Sequence, residues 1–470
     1  MPLLADHFSI ILYLLAPLYW IWDSPKTLLT IQTIALGLGA LPIYAITRMK
    51  TGKASFALAM TVVYLIYPAM ELTNSFDFHP ETLGTPMLLA AFYYLYSGKS
   101  RWYFLMILLT AFTKETAGLV IIMLGCYALL VRRWQIGVIS IGFGAMALTV
   151  ALATIRYFNH GQPSQYWSLY SAYGNNMASL TANFIHHPLW ILSSLDNGEN
   201  KRYLFQLLEP LVFLPLLAPE VSAIAIPALL TNMLSGRSQM TTIYYHYTAF
   251  ITPILFVAAI IGLERWAKWG NRATTVAMLF LLFMINISTL TWSPLWNPDA
   301  RLGPPISPQD TEETIRMIRC IPPTASVAAD LPLVSHLDHR TCVYLLPNPF
   351  YPIGYGNNPQ ALNLSLGDES PFPTREEIEK NISSSNVDYI ALHPSEVTFL
   401  PPFYDIYFTV TILTNPSYGI INIGQDTIIL RRGANHETGI KLLEDHAGLK
   451  IKNDGDIGKA YYCWVQKQRS

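Results

Sequence analysis

Long apolar stretches, separated by short polar segments, fill the first 292 residues of this 470-residue chain. A helix that spans a membrane needs about 20 mostly apolar residues. Seven stretches approach that length: 26–47, 54–73, 80–97, 115–131, 134–157, 245–263 and 272–292. The count rises to about ten with three shorter stretches, 102–113, 203–217 and 219–234. The pattern therefore predicts an all-α polytopic transmembrane domain over residues 1–292.

A different pattern begins after this domain. Residues 293–308 are rich in proline and predict a linker, and capping signals start helices near Pro308 and Thr374. Strand-like segments alternate with these helices: SVAAD, CVYLLP and VDYIALH, followed by three further apolar stretches, YDIYFTVTIL, YGIINIG and DTIILRR. This alternation predicts a small α/β domain over residues 309–433. Residues 434–470 are predicted to form a polar tail.

Charge follows the same division. The chain is 52% hydrophobic and 13% charged, whereas soluble domains are about a quarter charged. Residues 1–292 hold 27 of the 61 charged side chains, and the remaining 34 lie in the shorter C-terminal part. The net charge of −1 provides no basic field for binding nucleic acid. We therefore expect a lipid-embedded first part and a water-exposed second part.

Basic residues predict the orientation, because lysine and arginine in short loops mark the cytoplasmic side. The four clusters are Arg48/Lys50/Lys53, Lys99/Arg101, Arg132/Arg133 and Arg265/Lys268/Arg272. If all four are cytoplasmic, the predicted spans alternate without conflict. The outer loops are then 1–25, 73–79 and 158–202, with residues 8–22 in the interface or re-entrant. Localisation in the cytoplasmic membrane follows, with the α/β domain extracytoplasmic.

Several ionisable side chains fall at the predicted outer face. The segment NSFDFHPET holds Asp77, His79 and Glu81 between two apolar stretches. Pro80 favours an extended His79, and an extended D-x-H-x-E segment would present all three side chains on one face. The other polar candidates of this face are Asp6, His7, Lys114, Glu115, Tyr245 and His246.

Two interpretations of these groups remain open. A carboxylate beside an imidazole acts as a general base or binds a divalent metal that holds a phosphate. Alternatively, Asp77 caps a helix, Glu81 balances its dipole, and Lys114 pairs with Glu115 or Asp77. The convergence of all these groups on one face favours a functional site, because charges near membrane spans are costly. Asp77, Asp6, His79 and Glu81 are the candidate catalytic residues.

Four motifs carry a resemblance to a known family: DFHPE (77–81), FTKETAGLVI (112–121), FLPLLAPE (213–220) and HYTAFITPILF (246–256). They resemble a family of uncharacterised prokaryotic polytopic membrane proteins, classed as a domain of unknown function. That family is similar to the GT-C superfamily of membrane glycosyltransferases. The resemblance implies sugar transfer from a polyprenyl-phosphate donor at the extracytoplasmic face.

The resemblance also implies roles for residues. GT-C enzymes carry a catalytic acid in the first outer loop, where Asp6 falls, and a second acidic motif after the third helix, where Asp77 falls. A lysine near Lys114 contacts donor phosphate, and we expect His7, Glu115, Tyr245 and His246 to bind substrate with it. The chain begins where the family is already in its first outer loop, so we expect it to be N-terminally short.

Two other functions remain open. A transporter would carry ionisable groups near mid-membrane and repeated halves, and no internal repeat is visible in the sequence. A non-catalytic scaffold or receptor would tolerate alanine at the outer-face positions. The four cysteines form no CxxC motif, and Cys320 and Cys342 are either free thiols or a disulfide pair.

Overall fold

The computed structural model consists of two compact units, Met1–Leu302 and Gly303–Ser470. It describes residues 3–162, 164–174, 177–294, 296–297, 308–337, 340–350, 374–393, 402–453 and 455–461. Most of the predicted linker, residues 298–307, lies outside these ranges.

The first unit is built of helices. Its α-helices are Leu3–Asp6, Ile11–Leu15, Lys26–Leu38, Ala40–Thr51, Ala54–Leu65, Pro68–Ser75, Gly84–Ser97, Ser100–Ala111, Ala117–Leu130, Trp134–Phe158, Met177–His186, Pro188–Leu195, Gly198–Leu208, Pro219–Ser222, Ile226–Met233, Thr252–Trp266 and Asn271–Trp292. Short 3-10 helices connect them: Ala16–Trp20, Pro80–Leu83, Gln165–Tyr170, Glu209–Leu211, Leu214–Leu217, Ala223–Ala225, Ser238–Thr241, His246–Thr248 and Ala267–Trp269.

The number of helices able to cross a membrane is smaller than the ten predicted. Within the described part of the chain, three are long and apolar enough: Lys26–Thr51, Trp134–Phe158 and Thr274–Trp292. The pair Ala54–Leu65 and Pro68–Ser75, bent by 42°, makes a fourth if it is one broken span. The membrane character of the first unit is retained, but the count of about ten full spans is wrong.

Proline explains part of this difference. The stretches 203–217 and 219–234 contain Pro210, Pro215 and Pro227, which lack the N–H that helix interiors require. The chain there forms short α-helices and 3-10 helices instead of a transmembrane hairpin. The helix Ser100–Ala111 has 12 residues and is about 18 Å long, short of the roughly 30 Å hydrocarbon core.

Basic residues gather at one end of the first unit. The Lys50 ammonium lies 3.6 Å from Glu264 and 4.5 Å from the centroid of the Tyr96 ring. A Cβ atom on Gly98, beside the second basic cluster, would lie 4.0 Å from the Arg133 guanidinium. Residues from all four basic segments therefore meet on one side of the helices.

Glycine allows a close crossing between Ala117–Leu130 and Trp134–Phe158. A Cβ atom on Gly118 would lie 2.7 Å from the carbonyl oxygen of Gly144, and the reverse distance is also 2.7 Å. A Cβ atom on Gly125 would lie 2.9 Å from the backbone of the opposite helix. Small residues at such crossings let the backbones of membrane helices approach closely. This crossing anchors the helix that follows Lys114 and Glu115.

The second unit contains a five-stranded mixed sheet. Its strands are β1 (Val327–Ala329), β2 (Val343–Leu345), β3 (Tyr389–Leu392), β4 (Tyr418–Ile423) and β5 (Ile428–Arg432), in the order β2-β1-β3-β5-β4. β1 is parallel to β2 and β3, whereas β5 is antiparallel to β3 and β4. The helices around it are Pro308–Ile318, Leu331–Val334, Arg375–Ser384, Pro402–Thr414 and His436–Ala447. The small α/β character of the C-terminal part is thus present.

Two segments of this unit differ from their sequence pattern. The apolar stretch 404–413 lies within the helix Pro402–Thr414, because its buried side chains pack beside the sheet. The described part of 434–470 is largely helical, and Leu443, Ile457 and Tyr461 pack into the core. Cys320 and Cys342 are exposed free thiols.

Candidate functional site

The segment NSFDFHPET forms a bend between two helices. The helix Pro68–Ser75 ends, His79 is extended with φ −132° and ψ 128°, and Pro80 opens the 3-10 helix Pro80–Leu83. Glu81 is buried in this short helix, whereas Asp77 is exposed. The prediction that Asp77, His79 and Glu81 share one face is therefore wrong, because the 3-10 turn at Pro80 carries Glu81 inward.

Gln32 holds this bend in place. Its Oε1 atom accepts hydrogen bonds from the backbone N–H of His79 at 3.1 Å and the hydroxyl of Thr82 at 3.0 Å. Its Nε2 atom donates to the carbonyls of Thr73 at 3.4 Å and Phe76 at 3.5 Å. A fully buried amide thus satisfies four groups of the loop.

Glu81 is the centre of a buried charge cluster. Its Oε1 atom accepts a hydrogen bond from the ammonium of Lys114 and lies 3.3 Å from Nε2 of His246. The side chains of Glu81 and His246 are 6% and 8% exposed, and that of Lys114 is 15% exposed. The expected partners of Lys114 were Glu115 or Asp77, and its actual ion-pair partner is Glu81.

The charges in this cluster control one another. Burial raises the pKa of Glu81, but Lys114 and the two nearby imidazoles outweigh burial and hold it well below its ordinary value. Burial lowers the pKa of Lys114, and Glu81 reverses this so that the pKa is raised. Burial lowers the pKa of both His246 and His79 despite the nearby carboxylate. Glu81 and Lys114 are therefore charged at neutral pH, and both imidazoles are neutral.

Aromatic rings surround the imidazoles. His79 stacks on His246 with ring centroids 3.4 Å apart, and Phe76 stacks on both rings. Tyr245 meets Phe76 edge-on at 5.0 Å, and Tyr247 lies 4.2 Å from His246. Aromatic rings therefore pack against His246, whose two nitrogen atoms point outward in the plane of its ring.

A second group of predicted residues joins the N-terminal segment to the helix start at Ala117. Nδ1 of His7 lies 2.9 Å from Oε1 of Glu115, whose other oxygen accepts the backbone N–H of Phe8 at 3.2 Å. Burial lowers the pKa of His7, but Glu115 reverses this and leaves it raised. Tyr166 stacks on His7 at 4.6 Å and donates a 2.8 Å hydrogen bond to Asp6.

Asp77 differs from the other predicted acids. Asp6, Glu81 and Glu115 each bind a named side chain, whereas the exposed carboxylate of Asp77 has no hydrogen bond or ion pair with a side chain in the described part of the chain. The backbone carbonyl of Asp77 lies 3.0 Å from Nδ1 of His79. A free carboxylate therefore borders the buried charge cluster.

The described residues do not assemble a metal centre. Within those ranges, no group of three or more His, Cys, Asp or Glu side chains is arranged to hold a metal ion. The divalent metal considered from the sequence has no ligand set there.

Some residues of this region could not be predicted from the sequence. Gln32 is a lone amide in an apolar stretch. A polar residue inside such a stretch is a sequence signal that could have marked it as a candidate. Phe76, Tyr166 and Tyr247 carried no signal that separates them from other aromatic residues near a membrane surface. Only the folded chain brings them against the imidazoles.

Comparison with known proteins supports a family assignment. Residues 1–388 match the family model described as "Predicted membrane protein (DUF2079)". The match covers most of the chain, so the chain belongs to this family. A search of curated proteins finds no match.

Proposed function

We propose that this member of the DUF2079 family transfers a sugar from a polyprenyl-phosphate donor at the extracytoplasmic face of the membrane. The observation that carries the proposal is the free carboxylate of Asp77 beside the buried cluster of Glu81, Lys114 and His246. Glycosyl transfer needs a proton acceptor close to groups that stabilise a phosphate leaving group. The same arrangement is expected from the resemblance to GT-C enzymes.

The proposed reaction assigns Asp77 the role of base. The oxygen of the acceptor hydroxyl forms a bond to the anomeric carbon of the donor sugar, and Asp77 takes the hydroxyl proton. The bond between the anomeric carbon and the phosphate oxygen breaks, and polyprenyl phosphate leaves with the electron pair. Asp77 suits this role because its carboxylate carries no competing cation among the described residues.

Lys114 is the proposed phosphate contact. Its ammonium is bound to Glu81, and its side chain is 15% exposed. An ammonium has three donors, and Glu81 uses one of them. Tyr245, partly exposed beside Phe76, is a proposed contact for the sugar or the prenyl chain.

The proposed orientation of the chain in the membrane follows from its basic residues. Gln32, which holds the catalytic bend, and Lys50 lie in the same apolar segment Lys26–Thr51. They are 18 residues apart, so a rise of 1.5 Å per residue separates them by about 27 Å. A cytoplasmic location of the basic end puts Asp77 at the extracytoplasmic face, and the second unit on that side as well.

The test measures sugar transfer or release by the full chain in lipid nanodiscs with a panel of radiolabelled polyprenyl-phosphate sugars. We expect turnover by the wild type and a loss of at least about 100-fold in Asp77→Asn, since general-base catalysis contributes about 10²–10⁴. Asp6→Asn is the matched control, because Tyr166 already occupies that carboxylate. Retained turnover in Asp77→Asn with loss in Asp6→Asn would move the base to Asp6, and no turnover with any donor would refute transfer.

A second candidate function, transport, is favoured by the broken helix. Ala54–Leu65 and Pro68–Ser75 meet at 42°, and Glu71 lies just beyond the break. Glu71 is buried, and its Oε2 atom has no hydrogen-bond partner in the part of the chain that is described. Broken helices and buried acids at membrane depth are typical of ion-coupled transporters.

The nanodisc assay separates the two functions with Glu71→Gln. Transfer by the proposed base survives this change, because Glu71 forms no ion pair or hydrogen bond with the charge cluster in the described part of the chain. A transporter would show no transfer, and its cation-coupled uptake into proteoliposomes would be lost in Glu71→Gln.

A further inference from the structure

His246 has one nitrogen engaged and one nitrogen without a partner. Nε2 lies 3.3 Å from the carboxylate of Glu81, and a carboxylate accepts hydrogen bonds, so Nε2 carries the hydrogen. Nδ1 is buried and has no hydrogen-bond partner among the described residues. In a neutral imidazole this nitrogen is an acceptor, which cannot donate to a phosphate oxygen.

The buried cluster also lacks the net positive charge that would attract an anion. Glu81 and Lys114 form an ion pair whose charges cancel, and neutral His246 adds no charge. A phosphate group that reaches the cluster therefore meets no net positive charge. Charge-assisted donors are the groups that bind phosphate most strongly.

The surroundings keep His246 neutral until an anion arrives. Burial lowers its pKa, the carboxylate of Glu81 opposes this, and the charge of Lys114 lowers it further. Phe76 and Tyr247 add further ring surface next to His246. A phosphate near Nδ1 brings a negative charge, which favours the imidazolium.

We infer that His246 takes up a proton at Nδ1 when the phosphate of a polyprenyl-phosphate donor binds, and that the imidazolium then donates a hydrogen bond to a phosphate oxygen. The inference rests on the proposed function, since it names the ligand of the same site. Glu81 holds the opposite ring nitrogen, as a carboxylate orients the imidazole in a catalytic dyad. The lone pair of Nδ1 lies in the ring plane, so the stacked His79 ring does not itself cover it.

The probe is a C15 polyprenyl methyl phosphodiester, whose single negative charge does not titrate near neutral pH. Calorimetric titration of the full chain in nanodiscs at pH 7.5, repeated in buffers of different ionisation enthalpy, counts the protons taken up. We expect the wild type to take up about one proton per ligand. In the range above neutral pH, the affinity should rise about tenfold for each unit by which the pH is lowered. The C15 alcohol, which lacks phosphate, should show no proton uptake.

Variants identify the proton site. His246→Gln keeps a donor for Glu81 but cannot be protonated, so we expect proton uptake to vanish and affinity to fall by about tenfold or more. His186→Gln makes the same substitution at an exposed histidine and should behave as the wild type. If His246→Gln does not fold, the buffer dependence of the wild type alone decides whether a proton is taken up.

The outcomes separate this inference from the proposed function. Tight phosphodiester binding by the wild type without proton uptake overturns the inference and leaves sugar transfer intact. Loss of uptake in His79→Gln, with uptake retained in His246→Gln, assigns the proton to His79 and also overturns it. If the wild type binds no phosphodiester, both the inference and the proposed function are refuted.

Discussion

At the scale of residues, one carboxylate organises the candidate site. Glu81 binds the ammonium of Lys114 and faces the imidazole of His246, and all three are at least 85% buried at their side chains. Placing charges in a low-dielectric interior is costly unless each is paired. The cluster therefore constrains the ends of three separate chain segments to one arrangement.

Removing one charge of the buried ion pair should destabilise the fold. Lys114→Met leaves the carboxylate of Glu81 buried without its cation, so we expect the free energy of unfolding to fall by about 3–5 kcal/mol. Denaturant titration in detergent micelles measures this. The double variant with Glu81→Leu should recover part of the loss, because no buried charge then remains.

Lys201→Met is the matched control for that experiment. Lys201 pairs with Asp196 at the surface, where its side chain is 68% exposed, and surface pairs contribute little. Equal stability of the Lys114 and Lys201 variants would contradict the role given to the buried pair.

At the scale of elements, the crossing of Ala117–Leu130 with Trp134–Phe158 sets the position of the site. Lys114 and Glu115 lie directly before the first of these helices. Gly118 and Gly144 let the two backbones come together without intervening side chains. A shift at this crossing would move the start of the helix and the cluster residues that precede it.

Two alanine substitutions in one helix test this crossing. In Gly144→Ala the new Cβ atom would lie 2.7 Å from the backbone carbonyl of Gly118, so we expect a loss of about 1–3 kcal/mol in thermal or denaturant unfolding. Gly142→Ala is the control, since nothing lies within 4 Å of its Cβ position. It should be neutral or stabilise by about 0.5–1 kcal/mol through helix propensity. Similar effects of both variants would show that the glycine contact is unimportant.

At the scale of the whole molecule, a membrane-type helical unit precedes a small mixed α/β unit. The basic residues of the first unit predict that the second unit is extracytoplasmic. Its two exposed thiols, Cys320 and Cys342, make that side measurable without added reporters.

Thiol labelling checks the orientation. In a chain whose Cys126 and Cys463 are replaced by serine, we expect a membrane-impermeant maleimide to label Cys320 and Cys342 in intact cells. Arg101→Cys in a chain without its four native cysteines should react only after permeabilisation, because Arg101 belongs to the basic end. Labelling with the opposite pattern would invert the orientation and place Asp77 at the cytoplasmic face.

Local rules predicted several features of this protein. The apolar stretches identified the helical membrane unit, and Thr374 with Glu377 forms the capping box that its spacing suggests. Pro80 gave an extended His79 and a helical turn after it, since the proline ring restricts the backbone on both sides. These features depend on neighbours in the chain, which a sequence displays directly.

Other features depend on contacts between segments that are far apart in the sequence. The partner of Lys114 is 33 residues away, and His246 comes from a segment 165 residues beyond Glu81. The stretch 404–413 contains many strand-forming residues yet is helical, because packing on the sheet overrides weak local preference. The number of full spans was overestimated because hydropathy does not reveal where a buried apolar helix stops. Sequence alone thus determined the membrane character, the α/β second unit and the polar candidates. The tertiary structure decided which charges pair and left Asp77 free, because ion pairing depends on distances that only the folded chain sets.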